Sequence, residues 1–112
     1  MDFDQLLENS FEDTENVFTS HVDDPDKYIA DAIKSVRSNK CEPFLVQAPV
    51  MDPGFEGKEL GDMIEGYCLA HSEGYWLVYQ TEEKVFYCFW GLRRDSLGAH
   101  GVIGSALECW LQ

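Results

Sequence analysis

The chain has 112 residues, of which 45% are apolar, so one domain with a real core is expected and a disordered tail is excluded. Asp and Glu number 21 against 8 Lys and Arg, a net charge of −13 that leaves no cationic footprint for nucleic acid. No apolar run approaches the ~20 residues that span a bilayer, and acids occupy the N-terminus where a signal peptide would be positive, so a cytoplasmic location is expected.

Residues 1–26 carry nine acids and no Lys or Arg, and so supply −9 of the total. Phe3, Leu6, Leu7, Ser10, Phe11, Thr14, Val17, Phe18, His21 and Val22 recur at steps of three and four, which predicts a helix over about 2–20, with a break near Asp13 as a variant. A second helix follows. Asp24 can cap it, Pro25 suits its first position, Asp26 meets the positive end of its dipole, and Asn39 can stop it. Tyr28, Ile29, Ala32, Ile33 and Val36 form its apolar face.

After Pro43 the period changes. Residues 44–50 read as a short strand limited by Pro49, residues 52–57 as a loop, and 58–65 as a possible helical turn weakened by Gly61 and Gly66. From Gly66 to Trp90, three aromatic and β-branched runs are separated by Ser72-Glu73-Gly74 and by 81–84, at hairpin lengths. This predicts an antiparallel meander over 66–90. Parity places Tyr67, Leu69, His71, Tyr75, Leu77, Tyr79, Phe86, Cys88 and Trp90 on one face and Cys68, Ala70, Trp76, Val78, Gln80, Val85, Tyr87 and Phe89 on the other. Both faces are apolar. Helices can cover one; the C-terminal segment, a second copy of the chain or a partner must cover the other. Gly98, Gly101 and Gly104 mark 98–104 as a loop, and 105–111 reads as a last strand, with a short helix as the alternative. The expected fold is α+β, a single domain over 1–112 with two N-terminal helices packed on a four- or five-stranded antiparallel sheet.

Candidate chemistry is sparse. The glycines at 98, 101 and 104 match neither a P-loop nor a dinucleotide fingerprint, although Arg93, Arg94 and His100 could line a small ligand pocket beside them. Cys41, Cys68, Cys88 and Cys109 show no CxxC or CxxH spacing, which predicts free, mostly buried thiols and neither metal nor cofactor. Parity puts His71 on the face of Cys88, the one Cys–His pairing that the pattern suggests. Asp23-Asp24-Pro25-Asp26 lacks the ligand spacing of an EF-hand and reads as a helix cap.

The strongest functional signal is the acidic N-terminal quarter, because such a field accelerates association with a basic partner. Glu8, Glu12, Asp13, Glu15, Asp23, Asp24 and Asp26 are the candidate partner-binding residues. The rival explanation is that acidity keeps a bacterial or halotolerant cytosolic protein soluble. In size and charge the chain resembles small cytoplasmic immunity proteins that neutralise secreted toxins. That resemblance implies a non-enzymatic inhibitor that occludes a basic toxin or nuclease. A small enzyme or ligand-binding domain using the 98–104 loop, and a homodimeric structural module using the second sheet face, are the alternatives.

Overall fold

The structure is a computed structural model and describes residues 2–111. The elements run α1 (Phe3–Ser10), α2 (Pro25–Ser38), β1 (Lys40–Pro49), β2 (Met63–Ser72), β3 (Tyr75–Gln80), β4 (Val85–Trp90), β5 (Gly98–Gly104) and α3 (Ala106–Trp110). The five strands form one antiparallel sheet in chain order, so the α+β class and the central meander are as expected. At one end the first and last strands meet. Val50 makes a parallel bridge to Ala99, and the Met51 amide donates to the Ala99 carbonyl at 2.8 Å.

Local chemistry explains where the helices begin and stop. The Asp24 carboxylate accepts from the Lys27 amide at 3.1 Å, Pro25 opens α2, and the Asn39 side chain donates to the Ser35 carbonyl at 2.8 Å. α1, capped by Asp2, ends at Ser10 and does not continue to residue 20. Glu8 and Glu12 would face each other four residues apart, and Glu12, Asp13 and Glu15 would crowd the negative end of the helix dipole. Thr14, Asn16 and Thr19 add little helix propensity. Residues 11–22 instead form successive turns, anchored by the buried Phe11 and Val17.

Expectations are corrected at the C-terminal end and on the sheet. Residues 98–104 are a strand paired to β4, not a loop; the Gly101 backbone lies so close to the turn at 53–54 that a Cβ there would stand 3.1 Å from the Gly54 carbonyl. Residues 106–110 are not a strand but the short helix given as the alternative, opened by a capping box between Ser105 and Glu108. This third helix lies between the sheet and the other two, touching β3, β4 and β5 below and α1 and α2 above. The N-terminal pair thus reaches much of the sheet through α3, which Trp110 locks to α2 by donating to Ser35 Oγ at 3.0 Å.

The parity assignment survives up to a bulge between Cys68 and Ala70. There Leu69 and Ala70 both enter the helix-side core, with Leu77, Tyr79, Phe86 and Cys88, and His71 passes to the opposite face to stack on Trp76 at 4.8 Å. The second core contains Val46, Ala48, Ile64, Cys68, Val78, Tyr87 and Phe89. Its cover comes largely from the 50–62 segment, which was not among the candidates named above, with a share from Leu97 and Ala99. The sheet closes over it at Val50 and Ala99, Leu97 joins it from the 91–97 loop, and Phe55 packs edge-on against Tyr87 at 5.3 Å. Tyr87 donates to Glu83 at 2.7 Å, and Lys58 bridges to the same carboxylate at 3.6 Å, which ties the 51–62 segment down.

Gly66 shows how tightly β2 crosses β3. A Cβ there would lie 2.6 Å from the Tyr79 carbonyl oxygen and 2.7 Å from Val78. Backbone cannot yield as a side-chain tip can, so Gly66→Ala is expected to cost about 2–3 kcal/mol in urea unfolding; a loss near zero would mean that the strands separate freely at this point.

Candidate functional site

The acids of the N-terminal quarter divide into two groups. The first is used within the fold. Asp2 caps α1, Asp4 accepts from Lys40 at 3.2 Å, and Glu8 takes a two-pronged contact from Arg37, at 3.1 Å to Nε and 2.5 Å to Nη2. Arg37 also lies 5.4 Å from the centre of the Phe11 ring. The hydrogen bonds from Arg37 hold the Glu8 carboxyl below its ordinary value. These contacts fasten α1 to α2 and to the start of β1.

The second group is spread over residues 12–26. Glu12, Asp13, Glu15, Asp23, Asp24 and Asp26 are all exposed, and none of them enters an ion pair among the described residues. Asp24 alone has a structural duty, as the cap of α2. Of the seven acids singled out in sequence, Glu8 is ion-paired and Asp24 caps α2, and the other five enter no ion pair among the described residues.

Among these acids stands an aromatic cluster that the sequence pattern concealed. Phe18 is 69% exposed and stacks on His21, with ring centres 5.1 Å apart and planes 8° from parallel. His21 in turn meets Tyr28 of α2 edge-on at 5.4 Å. With Asn16, Val17, Glu108 and Leu111 they line a recess of about 290 Å³. The helical period had placed Phe18 and His21 on a core stripe. The signal against it was the run of acids, Thr and Asn beyond Phe11, which ends the helix before that stripe can continue.

Arg93, Arg94 and His100 do not converge. The Arg94 guanidinium donates to the Leu45 carbonyl at 3.1 Å and covers the Phe44 ring at 4.4 Å. Arg93 pairs with Asp95 at 3.3 Å. Both line an open groove of about 630 Å³ along β1 with Leu45, Gln47, Pro49 and Met63, whereas His100 approaches Trp90 edge-on at 5.7 Å and takes no part in that lining.

All four cysteines are free thiols. Burial pushes the Cys88 thiol up to about 12 and raises Cys68 and Cys109 strongly as well. Cys41 is half-buried and raised for the same reason. Because the bulge turns His71 to the other face, it cannot serve Cys88 as a base, which corrects the pairing suggested by parity. Among the described residues no three His, Cys, Asp or Glu side chains are grouped to hold a metal ion, and no helix is long and apolar enough to cross a membrane.

Compared with family models, with curated proteins and with solved structures, the chain matches none of them.

Two measurements follow from these environments. A disulfide-exchange reagent should modify Cys41 slowly in the native protein and the other three thiols only after unfolding; rapid native reaction of Cys88 would contradict its burial. Glu8 is held below its unfolded value, so its pairing stabilises the fold fully above the ordinary glutamate range and the benefit disappears as pH falls through the folded value. The stability gap between the parent and Glu8→Gln should accordingly be open at neutral pH and close on acidification.

Proposed function

We propose that the chain is a non-enzymatic binding protein that engages a basic protein partner through residues 12–26, most concretely an immunity-type inhibitor that occludes the cationic surface of a toxin or nuclease. The observation that carries this reading is Phe18: a large aromatic side chain held in the open, in the middle of a segment whose acids are not neutralised by the fold. An aromatic anchor within a charged surround is the arrangement in which a few residues supply most of an interface's binding energy. The surrounding charge steers the encounter, because a basic surface feels it before contact is made.

The competing readings have less support. A pocket built from Arg93, Arg94 and His100 lacks the convergence that binding or catalysis requires. The second sheet face, which favoured a homodimer, is filled by the chain's own 51–62 segment and Leu97.

The test starts from a partner captured on the parent protein and released by salt, since exposed charges are screened over ~10 Å at 0.1 M. In stopped-flow measurements, the combined variant Glu12→Gln, Asp13→Asn, Glu15→Gln and Asp23→Asn should associate about 10-fold more slowly at low ionic strength, with dissociation changed far less. Asp24 is left intact because its loss would uncap α2. An association rate equal to that of the parent overturns the steering claim.

A further inference from the structure

We propose that the recess formed by Phe18, His21 and Tyr28 seats the guanidinium of an arginine side chain, and that this arginine is the anchor contributed by the basic partner. The inference rests on the binding reading above and names the chemistry of its central contact. Three features of the recess lead to it.

The first is geometry. Phe18 lies parallel to the imidazole of His21, and with 69% of its surface open its phenyl group offers ring surface to solvent. A planar cation stacks on such a surface, and guanidinium does so better than ammonium because it is flat and more weakly hydrated.

The second is size. At about 290 Å³ the recess falls just below the ~300–1,000 Å³ of small-molecule sites, which suits a single side chain.

The third is charge. Glu15 precedes Phe18 by three residues and Asp23 follows His21 by two, and neither is engaged in an ion pair among the described residues. Aromatic surface alone would equally accept an apolar side chain. Two unpaired carboxylates that flank these rings in sequence favour a cation over an apolar side chain, and the fork of an arginine stacks on a ring and donates to a carboxylate at once.

Phe18 also lies outside both hydrophobic cores, so its ring can be exchanged without disturbing the fold. That makes Phe18→Leu a clean probe, since it keeps apolar bulk and removes the π-face. Capped hexa-arginine and hexa-lysine peptides are titrated calorimetrically at low salt. In parallel, the ring signals of His21 and Tyr28 are followed by NMR.

The expected result is tighter binding of hexa-arginine than of hexa-lysine by the parent, with movement of both ring signals. Phe18→Leu should weaken hexa-arginine about 3- to 10-fold and bring it to the hexa-lysine level. His21→Ala serves as a second variant with the same expected direction, because it removes the plate that holds Phe18. Equal binding of the two peptides, unchanged by Phe18→Leu yet weakened for both by the four-site charge variant, would overturn the arginine seat and leave the basic-partner reading standing. Absence of binding by either peptide would overturn both.

Discussion

The fold is governed by a sheet with two apolar faces and only 112 residues with which to cover them. A flat five-stranded sheet of this composition would need a helical layer on each side. The chain supplies one such layer and avoids the other by bringing its first and last strands together at Val50 and Ala99. Curling shortens the second face until Phe55, Leu97 and a tied-down loop suffice to keep water from Tyr87 and Phe89. The bulges at Cys68–Ala70 and Tyr87–Phe89 belong to the same solution, since each adds local twist to a strand that must bend.

That economy determines what the rest of the chain is free to do. The helix face is filled chiefly by α3, whose Ala106, Leu107, Cys109 and Trp110 are all buried within five residues. α1 and α2 complete the layer and are joined by Glu8 and Arg37 as well as by packing. Residues 11–24 then owe the core little more than Phe11 and Val17. A segment so lightly committed can carry mutually repelling acids and an open phenyl ring at small cost to stability. The acids that touch the fold are paired or capping, and the others lie where the fold does not need them.

Much of this was legible in the residues, and the failures have identifiable causes. α2 was readable because cap, proline, dipole charges and apolar period all agree, and the meander because hairpin-length breaks separate three aromatic runs. Parity failed only where a bulge intervenes, and no local property of Leu69 or Ala70 announces one. β5 was concealed by its glycines, one of which, Gly101, lets the strand pass close to the turn at 53–54. α3 was concealed because a helix buried nearly all round has no amphipathic period to detect. The acidic character of the candidate site was plain from composition. Its aromatic centre was not, because a continuous helical period through Phe18 and His21 is also what a core stripe looks like.

The two halves of the acidic quarter also explain why net charge alone was a poor guide to the site. Charge held in Asp4–Lys40 and Glu8–Arg37 is cancelled at short range and contributes little to the field that a partner meets. Charge on Glu12, Asp13, Glu15, Asp23 and Asp26 is not cancelled, and its self-repulsion works against the compact state. Solubility requires no particular placement of that charge, since the same number of acids dispersed over α2 and the hairpins would keep the protein apart from its neighbours with less mutual repulsion. Under the proposed binding reading, that concentration of charge around a ring that the core leaves out is what draws a cationic surface to the segment.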